Sequence, residues 1–315
     1  MQKVQLGNTG ITVPRLCFGT LTMSPLQAAD PVDYGARVIR AALDRGLNFL
    51  DTAQAYKSYP HIRKALVGYD GDLTVVSKSG RKSFDEMWDA VEEALDEMGL
   101  DMVDVFLLHN VNSEEDLKAR QGALDALLAA KEKGLIRAVG LSTHTAWMVK
   151  VANSRPEIEV VMPIINMKNI GVLDVDRHNV MRYVREAHEL GKGVYAMKPL
   201  AGGHLHENSV EALQWIMARP EVHSIAVGIR NTDELEANLL IFNGEPVPED
   251  LLARVRSHKK EIFVSYFCEG CAKCVEACAN EAMAIVEGKA KADPDKCILC
   301  GYCRAACPRF AIRML

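Results

Sequence analysis

Eight of the nine cysteines fall between Cys268 and Cys307, in two runs of identical spacing. Cys268, Cys271, Cys274 and Cys278 form one C-x2-C-x2-C-x3-C run; Cys297, Cys300, Cys303 and Cys307 repeat it 29 residues on. This spacing wraps three thiolates around one cubane and lends the fourth to a neighbouring cluster. One expected [4Fe–4S] ligand set is therefore Cys268, Cys271, Cys274 and Cys307, and the other is Cys297, Cys300, Cys303 and Cys278. Zinc knuckles pair across longer loops and disulfides belong to oxidising compartments, so clusters are the expected reading.

A second set of reactive side chains lies in the first third of the chain. The apolar run 47–50 ends on Asp51, and Tyr56 follows after a turn of small residues. Two further apolar runs end on Lys78 and on His109. Taken singly, Asp51 could cap a helix, Lys78 could be solvated and His109 could be a core residue. Together they form a proton-donating group. Reducing a carbonyl by hydride needs an acid at the developing alkoxide. A phenol titrates near 10, so about 3 units of easing are needed, and an adjacent ammonium held by a carboxylate can supply it. A histidine can orient the carbonyl oxygen.

Such a group works only if successive strands end at one rim. Apolar runs at 16–19, 47–51, 73–77, 103–109, 136–141, 158–165, 193–197 and 224–228 alternate with helical patterns. Near-continuous apolar strands are buried on both faces, as in parallel sheets. Eight such units in about 245 residues predict an α/β chain folded as a (β/α)8 TIM barrel, with its chemistry at the C-terminal ends of the strands. Residues 4–13, with Asn8-Thr9-Gly10 between apolar runs, predict an N-terminal β-hairpin. Ser83 with Glu86 reads as a capping box; Phe84, Trp88, Val91, Leu95 and Met98 read as one stripe, stopped by Gly99. Ser113 opens another helix with Leu117, Leu124, Leu127 and Leu128 inward. The expected domains are a barrel over 1–245, a linker and docking helix over 246–266, and a small α+β cluster domain over 267–315. The docking helix is expected from about Glu249 to Phe263, with Leu251, Leu252, Val255 and Ile262 on its docking face. The last 49 residues cannot build a self-sufficient apolar core, so something covalent or metallic must hold them.

The cysteine-rich tail resembles a bacterial-type two-cluster ferredoxin over its whole length, with Ala279 where the motif has proline. Residues 1–243 resemble an aldo-keto reductase. The resemblance is carried by the hairpin, Asp51-Thr52-Ala53 with Tyr56, Ser77-Lys78, Leu107-Leu108-His109, Val139-Gly140-Leu141-Ser142 and Gly228-Ile229-Arg230. It implies a catalytic tetrad of Asp51, Tyr56, Lys78 and His109 acting on a small carbonyl substrate. It also implies a nicotinamide cofactor, with Ser142 on the carboxamide, Met197 in place of the stacking aromatic, and Gly228, Arg230 and Asn238 at the phosphate end. Arg230 favours NADP(H), only slightly because Glu234 opposes a 2′-phosphate, so NAD(H) stays open. Met162 and Ala237 stand where the family has glutamine and glutamate. Those departures leave a second reading, an electron-transfer or docking protein with a largely non-catalytic barrel. No G-x-G-x-x-G run marks a flavin or Rossmann site.

A formal charge of −5 argues against nucleic-acid or anionic-membrane partners. No apolar run is long enough to cross a bilayer and the start has no signal-peptide pattern, which points to the cytoplasm. A one-electron redox protein is the macromolecular partner that clusters imply. Cys17 reads as buried filler, Trp88 and Trp147 as packing residues, and His204, His206, Lys168 and Lys198 as rim residues within reach of a pocket.

Overall fold

A computed structural model describes residues 1–25, 27–174, 178–257, 262–278, 281–294 and 302–314. A hairpin of β1 (Lys3–Gln5) and β2 (Thr12–Pro14) precedes eight parallel strands. These are β3 (Leu16–Gly19), β4 (Phe49–Asp51), β5 (Thr74–Ser79), β6 (Val103–Leu108), β7 (Ile136–Thr143), β8 (Val160–Pro163), β9 (Gly193–Met197) and β10 (Ser224–Gly228). They pair in chain order, and β10 closes on β3 with Gly228 opposite Gly19, so the sheet has no edge. The eight-strand barrel predicted from the apolar runs is the fold.

Parity along each strand decides what faces the axis. Side chains alternate at period 2, so a residue two positions from an inward one is also inward. Phe49, Val76, Val105, Leu107 and Tyr195 belong to the inner core, together with Leu6, Ile11 and Val13 of the hairpin. The hairpin thus plugs the bottom of the barrel with apolar side chains. Two residues on from Phe49, Val76 and Leu107 come Asp51, Lys78 and His109, all at the opposite end. Outward residues such as Leu50, Phe106 and Leu141 pack under the helices in the main core.

Three helical expectations change. The capping box at Ser83 and Glu86 and the left-handed Gly99 stop both form around the helix Phe84–Met98. Its buried stripe, however, is Met87, Ala90, Val91, Ala94 and Met98, while Phe84 is 41% exposed and stacks on Trp88. The helix expected from Ser113 breaks at Arg120 into Glu114–Ala119 and Gln121–Glu132, with Leu128 only partly buried. Arg120 adopts a non-helical conformation and its guanidinium donates to the carbonyl oxygen of His109 at 2.8 Å and to Asp116 at 2.9 Å. Of the helix expected to run to Phe263, Glu249–Ser257 is helical and 258–261 lie outside the described residues. Ile262–Val264 is instead a strand, β11. Its period fitted a helix, but its partner lies at the far end of the chain and is invisible to local pattern.

The C-terminal segment adds β12 (Met283–Val286) and β13 (Lys289–Ala292), an antiparallel hairpin, and β14 (Ile312–Met314), which pairs with β11. Cys274, Met283, Ala290, Cys303 and Ile312 form its small core. The segment docks on the barrel's C-terminal rim. Phe310, 3% exposed, lies against Gly171 and Gly202, and Arg304 donates to the carbonyl oxygen of Gly202.

Candidate active site and metal centre

Strand parity converges on an ion pair at the rim. Lys78 Nζ lies 2.6 Å from Asp51 Oδ2 and donates to the Thr52 carbonyl oxygen at 2.7 Å. Tyr195, inward on β9, donates its hydroxyl to the same carboxylate oxygen at 3.0 Å. Burial pushes the Asp51 carboxyl up, against the pull of Lys78 and of these hydrogen bonds. Burial also acts to lower Lys78, but Asp51 and Tyr56 outweigh it and the ammonium is held above its ordinary value. The charged pair is the form that fills every one of these contacts. The lysine is 1% exposed, so its charge acts through protein and not through water.

Tyr56 and His109 stand in front of this pair, both only partly buried. The Tyr56 ring meets His109 edge-on with centroids 5.6 Å apart, and Lys78 Nζ lies 5.1 Å from the Tyr56 centroid. The segment carrying Tyr56 is tied down by hydroxyls. Ser58 Oγ bonds both Thr20 and Thr52 at 2.9 Å, and Thr20 donates to the Asp51 carbonyl oxygen. Burial raises the Tyr56 phenol, and Lys78 pulls it part of the way back. The net direction is opposite to the easing expected from charge alone, because desolvation is the larger effect. Burial, then the charges of Lys78, Lys198 and Arg120, lower His109 to about 3. His109 is therefore a neutral imidazole.

The predicted tetrad is brought together. Tyr195 and Arg120 complete it and were missed: one orients the carboxylate and the other anchors the strand end at His109. A tyrosine in a barrel strand reads as filler, although its parity with Met197 does place it inside.

Tyr56 and Asp51 open onto a cavity of about 1110 Å³ that also contacts Met162, Met197, Gly228, Arg230 and Asn238. The expected nicotinamide and phosphate ends thus share one cleft. Ser142 sits behind it, fully buried, with Oγ accepting from the Asn110 amide at 2.8 Å. Arg230 is already forked onto Asp30, with N–O distances of 3.1 to 3.3 Å, and Glu234 accepts its backbone amide at 2.8 Å. Asn238 donates to the Glu234 carbonyl oxygen at 2.7 Å. The roof of the cleft comes from outside the barrel: Leu252, Val255, Ile262, Phe263 and Arg313.

Of the rim residues read from sequence, Lys198 and His206 line the cleft, while His204 is covered by Phe310. Cys17 is a fully buried residue of the inner core, and burial drives its thiol up. Trp147 is exposed and bonds Glu114, and is not a packing residue.

Among the cluster cysteines, Cys297 and Cys300 lie outside the described residues. Among the described residues no three metal-ligating side chains are gathered tightly enough to hold an ion, so the crossed ligand sets stay an expectation from spacing. Burial raises the Cys274 thiol, and Cys307 and Cys268 are near enough to add to it, which groups three members of one expected set. Backbone amides donate to sulfur at Cys278 (from Ala282, 3.3 Å), Cys268 (from Ala290, 3.4 Å) and Cys307 (from Ala311, 3.2 Å). Amide donors of this kind set cluster potentials.

A closed parallel barrel carrying a lysine–carboxylate pair, a phenol and an imidazole at its rim defines an oxidoreductase of the aldo-keto class. The profile of the aldo/keto reductase family matches residues 15–212, and the chain belongs to that family. A 4Fe-4S dicluster domain profile matches residues 256–309. L-galactose dehydrogenase of Arabidopsis thaliana is 25% identical over 284 residues, covering 76% of this chain and 88% of that protein. Pyridoxine 4-dehydrogenase of Escherichia coli is 30% identical over 198 residues, covering 55% and 68%. The solved holo form of an aldo-keto reductase from Bacillus halodurans superposes with a TM-score of 0.64 at 21% identity, covering 81% of this chain and 95% of that one. No helix among the described residues is long and apolar enough to cross a membrane.

Proposed function

We propose that this protein reduces a small carbonyl compound with NAD(P)H, with Tyr56 as proton donor, and that its C-terminal domain carries two [4Fe–4S] clusters serving a one-electron partner. The single observation that carries the reading is Tyr56, edge-on to His109 and in front of the buried Lys78–Asp51 ion pair, opening onto a cleft of about 1110 Å³. The bound nicotinamide supplies the hydride. Tyr56, its proton retained by burial, gives it to the carbonyl oxygen as charge builds there. Lys78 stabilises the resulting phenolate, and Asp51, Tyr195 and the Thr52 carbonyl keep the ammonium charged and aimed. Neutral His109 can donate one N–H to the same oxygen. A phenol held above its ordinary value suits reduction near neutral pH better than the reverse oxidation, which needs a phenolate.

Asp30 and Glu234 beside Arg230 favour NAD(H), since a 2′-phosphate there would meet two carboxylates. The thiolate-rich domain suits a reducing compartment, the cytoplasm. Tyr56→Phe tests the assignment. Carbonyl reduction should fall about 10²- to 10⁴-fold while NADH affinity stays within about threefold, because the hydroxyl is needed only as the proton source. Undiminished turnover on an active aldehyde would remove Tyr56 from the role. A barrel that serves only as a scaffold would bind neither nicotinamide nor carbonyl.

A further inference from the structure

The cleft is built from two domains, and the piece the cluster domain contributes is charged. On β14, Ile312 is 1% exposed within the cluster domain's own core, so its neighbour Arg313 must face the other way, toward the barrel. Arg313 pairs with Phe263 in the β11–β14 ladder, and both line the cleft together with Tyr56. The Arg313 Nε is shielded from solvent and has no hydrogen-bond partner. Among the described residues no ion pair involves Arg313, and only Tyr56 and Tyr266 act electrostatically to hold its charge. Lys198 lies close by on the barrel side. Its Nζ contacts His144 Nε2 at 2.8 Å and stands 4.8 Å from the Phe310 ring centroid. Among the described residues no carboxylate acts on Lys198 either. Burial, then the charge of Arg313, lowers it well below the ordinary lysine value, so an anion between the two would favour its protonated form.

The acids elsewhere in the cleft are committed. Asp51 holds Lys78, Asp30 holds Arg230, Asp33 contacts Lys64, and Glu234 caps the Arg230 amide. Arg304, also at the docking surface, feels the Cys303 thiol, whereas among the described residues no cysteine acts on Arg313. A partly buried guanidinium with a shielded, unpartnered Nε and, among the described residues, no acid beside it gains from a ligand that completes it, and its fork matches a carboxylate.

We infer that the cluster domain completes the substrate site, and that Arg313, with Lys198 beside it, anchors the carboxylate of a short oxo acid whose carbonyl faces Tyr56. The inference rests on the carbonyl-reduction reading of the same cleft. It makes the C-terminal domain a determinant of substrate choice and not only an electron carrier.

Binding and turnover test the two readings separately. Calorimetry on cluster-loaded protein would compare butyrate with butanamide, which has the same shape and no charge. Butyrate should bind at least about tenfold more tightly, and Arg313→Gln should erase that preference at unchanged iron and sulfide content. Equal affinities in the parent, or a preference that survives Arg313→Gln, would overturn the assignment. Should that variant fail to load clusters, Arg313→Lys decides in its place. It should bind butyrate more weakly than the parent, and parent-like affinity would count against the fork. Turnover then compares 4-oxopentanoate with 2-pentanone. Equal catalytic efficiency on the two would sink the carboxylate anchor alone. Absence of turnover on any carbonyl, with the butyrate preference intact, would sink the reductase reading alone.

Discussion

At the scale of single residues, the site separates charge from reactivity. Lys78 and Asp51 are buried and paired, while Tyr56 lines the cleft and His109 stands edge-on to its ring, both without formal charge. This has a consequence for pH. His109 is lowered to about 3, and the same cause, burial first, lowers His204 and His223 to about 4. A histidine whose folded value is depressed contributes stability that is fully present above its unfolded value, near 6.5. That contribution is lost as pH falls through the interval toward the folded value. Denaturant midpoints should accordingly decline from about pH 6.5 down toward 4, and His109→Gln should flatten part of the decline. A midpoint that rises on acidification would contradict the neutral-imidazole assignment. Over the same range, catalytic efficiency should show no inflection from His109, because it is already neutral.

At the scale of elements, alternation along strands made most of the barrel site legible. Asp51, Lys78 and His109 each lie two residues beyond an inward apolar residue, so their convergence follows from period and strand order. The cysteine spacing was as direct, since it is a local pattern. What stayed hidden depends on distant contacts. Ile262 and Phe263 continue a helical period, and only pairing with residues about fifty positions later makes them a strand. Arg313 has no sequence pattern at all; its role exists only once the tail folds over the rim. Gly202 belongs to the same seam. It sits at φ +67, and an added Cβ would come within 2.6 Å of the Phe310 ring. Gly202→Ala meets both a left-handed backbone and that clash, each destabilising by about 1 kcal/mol or more. Since the barrel core is elsewhere, the damage should fall on docking: faster amide exchange in 262–264 and 310–314 and faster proteolysis after Ser257, with barrel exchange unchanged. Protection lost evenly across β4–β9 would show instead that the seam belongs to the barrel's cooperative unit.

At the scale of the whole molecule, two redox currencies meet at one rim. A nicotinamide releases a hydride, two electrons at once, whereas a cubane accepts one at a time. Chains that join the two usually do so through a flavin. The cleft runs between Tyr56, Arg230 and the Arg313 roof, and the sequence carries no G-x-G-x-x-G run that would mark a flavin site. Docking through Phe310 and Arg304 brings the cluster domain against the rim, so its closeness alone does not separate the circuits; electron pairing does. Anaerobic NADH or NADPH alone should therefore leave the cluster absorbance unbleached over many turnover times. A low-potential one-electron donor should bleach it promptly, and the iron and sulfide count should be about eight of each per chain. Rapid bleaching by the nicotinamide, with flavin excluded by analysis of the denatured protein, would mean that the clusters take electrons from the barrel site. In that case the partner protein would be the acceptor at the end of a single path, and not the owner of a separate one.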